Sequence, residues 1–403
     1  MRSTVGNVGS TSARLQSGFR RRIGIGAFVS AAIFAASAPT AFAGAEFKLS
    51  DDSSMSMGLW LRTSFTSLEK DPTTNNSTSN KFSADSTRLL LNGSFGKYFK
   101  ATVNIDRTGG ASGSAATEMI DGIAQFEMSE GFNVWMGRML PPQDRAGLTG
   151  PYFPSAWSYP GIASNYPNIS AGRDDGGMVW GNLLDSKLAY SVGLFNGHNR
   201  GTSTGGVSNS NISAKLMTAG RLQYNFWDAE TGIYRNGTYL GGKNILSIGA
   251  AMQSQSAGTG TATAPGDLKI SNVDFLLEKK LDSGLVPTFE GAYYVYSLEK
   301  MDNGSGTNAG GQEGGKSKLV GAALLFPQQV GVGKLQPFVR YQSFDRTGMS
   351  SAPNTTKSGM DYGINYLIKG FNAKVSAVYS KLDDTKAGGL KQDQFVLGVQ
   401  LQY

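Results

Sequence analysis

The last nine residues, Phe395–Tyr403 (FVLGVQLQY), decide the fold class of this chain. Every second residue of this stretch is apolar, and the residues between them include Gly398, Gln400 and Gln402. An alternation with period two predicts a β-strand that has one apolar face and one face that tolerates water. The same two-faced pattern recurs at 371–380, 188–194 and 99–106.

The connections between these predicted strands alternate between short and long. Short connections are predicted at 96–97, 129–131, 185–186, 282–284 and 369–370. Long connections rich in Gly, Ser, Thr and Asn are predicted at 69–81, 108–117, 197–211, 256–267, 299–317, 345–358 and 382–392. Bacterial outer-membrane barrels pair short periplasmic turns with longer outer loops. The sequence therefore predicts an all-β fold, a transmembrane antiparallel β-barrel of about 16 strands with both ends in the periplasm.

The N-terminal segment is typical of an export signal. Arg20–Arg22 precede the apolar stretch 23–38, and Ala41–Ala43 form a small-residue cleavage motif. We expect residues 1–43 to be cleaved, which leaves 44–403 as the barrel domain; a retained membrane anchor is the alternative. An export signal also favours the barrel over a soluble β-sandwich, whose strands show the same alternation.

Removal of the export signal changes the charge balance of the chain. The whole sequence has 37 Lys and Arg against 30 Asp and Glu, and residues 1–43 contain five Arg and no acid. The mature chain therefore has 32 basic and 30 acidic residues, a formal charge of +2 in place of +7. Because the basic pI mostly reflects the export signal, no nucleic-acid partner is predicted.

The composition also excludes several kinds of chemistry. The chain has no Cys, so disulfides and thiolate metal sites are excluded. Its single His, His198, lies in a loop rich in Gly and Asn, which is a poor place for a catalytic base. The acidic pair Asp383 and Asp384 is typical of a solvated turn. We therefore expect a protein that is not an enzyme and holds no cofactor or metal.

One long connection, 141–177, differs from the others because it is rigid and aromatic. It contains Pro141, Pro142, Pro151, Pro154, Pro160 and Pro167 and the aromatic residues Tyr152, Phe153, Trp157, Tyr159 and Tyr166. Prolines fix the path of a chain and aromatic rings give it surfaces to pack. We expect this third long loop to fold into the barrel and narrow the pore. An ordered outer cap and a contact between protomers are the alternatives.

Several short motifs around this loop resemble one family. They are 137–142 (GRMLPP), 171–181 (AGRDDGGMVWG), 188–197 (LAYSVGLFNG), 220–225 (GRLQYN), 336–341 (QPFVRY) and 361–366 (DYGINY). In this order they are similar to the phosphate-selective porin O and P family. The resemblance implies a sixteen-stranded, usually trimeric porin of the bacterial outer membrane, in contact with its lipid. In the namesakes of that family, an arginine ladder and a lysine cluster line the pore.

Basic residues are candidates for an anion path through this predicted pore. The candidates lie on the polar faces of strands or near the third loop: Arg62, Arg88, Lys100, Arg138, Arg145, Arg173, Lys215, Arg221, Arg340 and Lys374. Such cations would lower the barrier for anions. Six acids also fall on polar faces: Asp106, Asp121, Glu127, Asp274, Glu290 and Asp361. The alternative is therefore that these charges pair across the wall and hold the loops in place.

The sequence leaves more than one function open. The leading hypothesis is a channel for passive diffusion of small hydrophilic solutes, anionic or neutral. Whether it prefers anions, phosphate-like ones among them, is left open by the sequence. A barrel that encloses a periplasmic partner, such as a multihaem cytochrome in an electron conduit, is the alternative. Such a scaffold needs a wide lumen without an inward loop, so the third loop argues against it. A barrel lipase is disfavoured because His198 is the only His.

Overall fold

The computed structural model describes residues 44–71, 74–108, 117–166, 172–197, 215–260, 265–298, 314–347, 355–385 and 389–403. The predicted export signal, residues 1–43, and the lone His198 lie outside the described residues, so both remain predictions about sequence alone. No helix within the described ranges has the length and apolar character that a membrane crossing requires.

The described residues form eighteen strands and one short helix. In chain order they are β1 (Ala45–Lys48), β2 (Ser53–Asp71), β3 (Ser77–Phe95), β4 (Phe99–Thr108), β5 (Thr117–Glu127), β6 (Asn133–Met139), α1 (Arg145–Thr149), β7 (Asp174–Leu183), β8 (Leu188–Phe195), β9 (Met217–Asn225), β10 (Ile245–Gly260), β11 (Pro265–Glu278), β12 (Val286–Leu298), β13 (Gly315–Leu325), β14 (Gln329–Val330), β15 (Gly333–Arg346), β16 (Thr356–Leu367), β17 (Ala373–Asp384) and β18 (Lys391–Gln402).

Sixteen of these strands close into a barrel. From β2 to β18 each pairs antiparallel with the next, except that β13 pairs directly with β15 across the two-residue strand β14. The last strand then pairs with β2, with Leu401 opposite Leu61. At this seam Leu59 and Tyr403 exchange backbone hydrogen bonds of 2.8 and 2.9 Å. The prediction of about 16 antiparallel strands is therefore confirmed. Strand β1 pairs with the first residues of β2 and is not counted among the sixteen.

The apolar face of the strands points away from the barrel interior. In β18, Phe395, Leu397 and Leu401 are 41%, 44% and 49% exposed, whereas Val396 and Gln400 are buried. A soluble sandwich would bury the apolar set instead, since its strands pack face to face. The outward apolar band and the inward polar face are those of a membrane barrel.

One connection differs from its neighbours at the short-turn end of the barrel. This end holds turns such as 96–98, 184–187 and 368–372, whereas the long loops emerge at the other end. Between β9 and β10, however, the chain runs irregularly through 226–244, and the side chains of Glu230 and Thr238 in this segment are fully buried. The segment 226–244 is therefore folded into the barrel and is not an exposed turn.

Candidate pore constriction

The third long loop, between β6 and β7, lies inside the barrel. Inward side chains from strands on separate parts of the barrel wall form hydrogen bonds with this loop. In β12 the Tyr294 hydroxyl donates to Asp144 Oδ2 at 2.6 Å. In β18 the Gln400 amide donates to the Tyr152 carbonyl at 3.1 Å. The predicted inward fold of this loop is therefore confirmed.

The remainder of the loop follows the inner wall. In β15, Arg340 donates to the Ser158 carbonyl at 2.6 Å, a few residues before the loop reaches β12 and β13. There the Ala163 carbonyl accepts hydrogen bonds from Tyr296 at 2.7 Å and Ser317 at 2.6 Å. Because these partners lie on separate strands, the loop is held along much of its length.

Glycines on the inner face of the wall make room for apolar side chains of the loop. A Cβ added at Gly398 would lie 2.5 Å from the ring of Trp157, and one at Gly359 would lie 2.7 Å from Ile162. Real Cβ atoms do not approach other atoms this closely, so a larger residue would force the loop away from the wall. The small residues on the polar face of β18 and β16 thus have a packing role.

Helix α1 in the third loop is capped and tied to the wall. The side chain of Asp144 accepts a hydrogen bond from the Gly147 backbone N–H at 3.1 Å, which satisfies a free donor of the first turn. The Arg145 backbone N–H donates to Asp274 in β11 at 3.1 Å. Burial raises the pKa of the Asp144 carboxyl to about 6, although the hydrogen bond from Tyr294 opposes the rise.

The segment 226–244 meets the third loop inside the barrel. Arg145 of the loop donates to both carboxylate oxygens of Glu230, at 2.8 and 2.5 Å. Two backbone bonds of 3.2 Å join the same segments, from Arg235 N to the Leu148 carbonyl and from Gly237 N to the Phe153 carbonyl. Burial alone would raise the pKa of Glu230, but the Arg145 charge outweighs it and lowers the pKa to about 2.

A second carboxylate fixes 226–244 to the wall. Glu278, at the end of β11, accepts hydrogen bonds from the Thr238 hydroxyl at 2.6 Å and from the backbone N–H groups of Tyr239 and Gly241 at 3.0 and 2.8 Å. The segment is thus attached at one side to the barrel and at the other to the third loop. The two segments together occupy part of the barrel interior from opposite ends.

Most of the predicted pore cations are neutralised by acids. The ion pairs are Arg88–Asp106 (2.8 Å), Lys100–Glu127 (2.5 Å), Arg145–Glu230 (2.5 Å), Arg173–Asp121 (3.0 Å), Arg221–Asp274 (2.6 Å) and Arg340–Asp361 (2.7 Å). Five of the six acids that the sequence places on polar faces appear in these pairs. For these positions the structure favours the alternative in which charges pair across the wall and hold the loops.

Two predicted positions lie away from the pore throat. Arg138 alternates with the inward residues Trp135 and Met139 and shares the outward face of β6 with Met136, which is 66% exposed. It pairs there with Asp175 at 2.7 Å, so its placement in the pore lining is corrected to the outer face. Lys215 precedes β9 at the long-loop rim, where it is exposed.

Three buried cations have no acidic partner among the described residues: Arg62, Lys374 and Arg235. Arg62 and Lys374 flank Gln400 in one row across β2, β18 and β17 and are 5% and 2% exposed. The Arg62 guanidinium lies 3.9 Å from the centre of the Trp157 ring and donates to the Trp157 carbonyl at 2.5 Å.

Arg235, in 226–244, was missed by sequence reasoning. Its bonds go to neutral groups, from Nε to the Gln223 side chain at 3.0 Å and from Nη1 to the Gly232 carbonyl at 2.7 Å. Burial lowers its pKa to about 10, and the charge of Glu230 opposes this. Even so, the guanidinium is positively charged at neutral pH. Nothing in the irregular sequence of 226–244 indicates that this side chain would be buried.

A cavity lies between the third loop, the 226–244 segment and the wall formed by β2 to β5. It encloses about 530 Å³ of empty space, counting the part that is open to solvent. Arg88, Arg173 and Arg235 line it together with aromatic side chains. Within the ranges that the structure describes, no cluster of His, Cys, Asp and Glu is suited to hold a metal ion.

The sequence model of a family described as "Phosphate-selective porin O and P" matches residues 310–403. The match covers less than half of the chain, so it shows a similarity to this family over the C-terminal strands. The resemblance inferred from the sequence motifs is thus confirmed over these residues, and the bacterial outer membrane is confirmed as the location. A comparison with curated protein sequences gave no match.

Solved structures of outer-membrane proteins share the fold. An anion-selective porin from Comamonas acidovorans matches with a TM-score of 0.53 and 13% identity, over 87% of this chain and 100% of that one. The trimer form of OmpT from Vibrio cholerae matches with a TM-score of 0.55 and 11% identity, over 88% of this chain and 100% of that one. The outer membrane channel DcaP of Acinetobacter baumannii matches with a TM-score of 0.57 and 12% identity, over 89% of this chain and 99% of that one. At such identities the likeness concerns the porin-type barrel fold.

The ion pair between the two inward segments generates a stability prediction. Arg145→Met leaves Glu230 buried without its main partner, which should cost about 3–5 kcal/mol. Adding Glu230→Met should recover part of that loss, because no buried charge then lacks a partner. The free energy of unfolding, from urea titration of the purified barrel, measures both. Lys48→Met removes an exposed pair with Asp51 and should change stability by less than about 1 kcal/mol. Equal losses for Arg145→Met and Lys48→Met would contradict the account.

Proposed function

We propose that this protein is a channel for passive diffusion of small hydrophilic solutes across the outer membrane, with a preference for anions. The observation that carries the preference is the set of three buried cations without acidic partners, Arg62, Lys374 and Arg235. They lie beside or within the two segments that narrow the barrel. Passive diffusion needs no catalytic group, and we assign none.

The charges divide into two roles. The paired cations, such as Arg221 with Asp274, hold the third loop against the wall and contribute little net field, because each positive charge lies beside a negative one. The unpaired cations leave a net positive potential at the narrow part of the barrel. A unit charge 4 Å away contributes about 1 kcal/mol in water and about 4 kcal/mol at an effective dielectric constant of 20. Such a potential favours entry of anions.

The family resemblance adds phosphate as one candidate anion. A planar guanidinium can bond two oxygens of a phosphate group, and Arg62 and Arg235 carry guanidinium groups without acidic partners. We therefore include inorganic phosphate among the solutes to be tested.

The alternative of a scaffold around a periplasmic protein receives less support. A partner domain would need the interior that the third loop and 226–244 occupy. The bonds from Arg145 to Glu230 and from Gly237 to the Phe153 carbonyl would have to break before a protein could enter. Breaking a buried ion pair is costly. We therefore favour a channel for small solutes.

We also infer a homotrimer. The support is the trimer form of OmpT, whose barrel fold this chain shares. Arg138 and Asp175 form an ion pair on the outer face of the barrel, where lipid is a poor environment for charges.

The mass of the protein extracted in mild detergent should be three times that of one chain. A mass of one chain under conditions that retain native lipid would contradict the trimer.

The selectivity proposal is tested in planar bilayers. The reversal potential across a KCl gradient should favour chloride in the wild type. Arg62→Gln should lower the chloride-to-potassium permeability ratio roughly fivefold, since it removes about 1 kcal/mol of attraction. Arg107→Gln is the matched control, because Arg107 is exposed on the outer face of β4. A wild-type potential that favours potassium, or equal ratios in all variants, would contradict the anion preference.

A further inference from the structure

The cavity between the third loop, 226–244 and the wall has a second property besides its charge. One side of it is aromatic: Trp60, Tyr152 and Phe153 contact one another, with ring centres 4.9 Å apart for Trp60 and Tyr152 and 5.5 Å for Trp60 and Phe153. Tyr234 lines the cavity as well. Part of its empty space is open to solvent, so a small molecule can enter it.

The cations of the cavity leave one excess positive charge. Arg88 is paired with Asp106 at 2.8 Å, and Arg173 with Asp121 at 3.0 Å. Arg235 lines the same cavity, is 4% exposed and forms no ion pair among the described residues. Its Nη2 atom donates to no described acceptor, whereas Nε and Nη1 do. Nη2 is not one of the fully buried side-chain atoms that lack a partner, so it can donate to solvent or to a ligand in the cavity.

Neutral polar groups complete the lining. Asn104 and Asn236 border the cavity, and both side chains carry amide N–H donors. Asn104 uses its amide to donate to Asp121 at 2.7 Å. Rings on one side, one net positive charge and a few polar groups make up the composition expected of a small-molecule site with a fixed orientation.

We propose that this cavity binds aromatic monocarboxylates as they pass through the barrel. The carboxylate would accept a hydrogen bond from Arg235 Nη2, and the ring would pack against Phe153 and the exposed edge of Trp60, which Tyr152 supports from behind. The inference rests on the proposed function, because it names the class of anion that the channel prefers. It adds a requirement that charge alone does not impose, namely a planar ring.

Inorganic phosphate fits this cavity less well than such a carboxylate. Phosphate has no apolar surface to bury against Trp60 or Phe153, and burial of apolar area is the main source of affinity in sites of this kind. At neutral pH phosphate also carries up to two negative charges, whereas Arg235 supplies one excess positive charge. Acetate has the charge without the ring, and benzamide has the ring without the charge.

These four probes separate the requirements in one experiment. Full-length protein purified from outer membranes is inserted in planar bilayers, and the current in symmetric KCl is recorded while benzoate, acetate, benzamide or phosphate is added. Benzoate should reduce the current at a concentration at least tenfold below that of each other probe. Arg235→Gln should raise the half-blocking concentration of benzoate at least fivefold.

Two further variants keep the test decisive. Phe153→Leu removes a ring but no charge, so it should raise the half-blocking concentration of benzoate while that of acetate changes little. If Arg235→Gln fails to fold, Phe153→Leu still tests the aromatic site. Arg107→Gln, on the outer face, is the matched control, and benzoate should block this variant at the same concentration as the wild type.

The outcomes distinguish this inference from the proposed function. A chloride-selective current on which benzoate and acetate act equally would overturn the aromatic site and leave the anion channel intact. A stronger block by phosphate than by benzoate would overturn it in favour of a phosphate site. A folded barrel without chloride-selective current would overturn the proposed function and this inference with it.

Discussion

The buried ion pair between Arg145 and Glu230 joins the two segments that fill part of the barrel. Both side chains are almost inaccessible to solvent, so neither charge can exist there without the other. Ser247 and the Asn236 carbonyl accept further hydrogen bonds from Arg145, and Tyr239 donates to Glu230. Because these partners belong to 226–244 and to β10, this one contact positions the third loop, 226–244 and β10 relative to one another.

The other ion pairs extend the same logic around the wall. A strand that faces water inside a barrel must carry polar side chains, and the loops that fold inward must bond to them or leave buried groups without partners. Arg340 illustrates this, since it bonds Asp361 on the next strand and the Ser158 carbonyl of the third loop at once. Charges used in this way hold the constriction in place.

Much of the barrel could be predicted because its pattern is local. Alternation along β18, and the short and long connections, depend on residues close together in sequence, and the prolines of the third loop mark it as rigid. The pairing of Arg173 with Asp121 could not be predicted, since it depends on the register between the loop exit and β5. Arg138 was misplaced because it was assigned from its closeness to the loop, whereas alternation from Trp135 places it outside.

The 226–244 segment shows the limit of sequence reasoning most clearly. It has no periodic pattern, and its burial results from partners far away in the chain, such as Arg145 and Glu278. Arg235 therefore gave no signal in the sequence, although it lines the cavity between the two inward segments. A long irregular stretch at the short-turn end of a predicted barrel is the one feature that points to such a segment.

The most direct test of this account asks whether the third loop and 226–244 meet inside the barrel. A Cβ added at Gly237 would lie 3.5 Å from the Cβ of Pro154, within the spacing of about 3.5–4.5 Å that a disulfide requires. It would also lie 2.9 Å from the Pro154 Cα, so the two segments must move apart slightly to accept the new side chain. The chain has no native Cys, so the double variant Pro154→Cys and Gly237→Cys has no competing thiol. Mild oxidation of intact outer membranes should close this disulfide and produce a reductant-sensitive shift in gel mobility that neither single variant shows. Two thiols that stay open to alkylation in a correctly folded barrel would contradict the account.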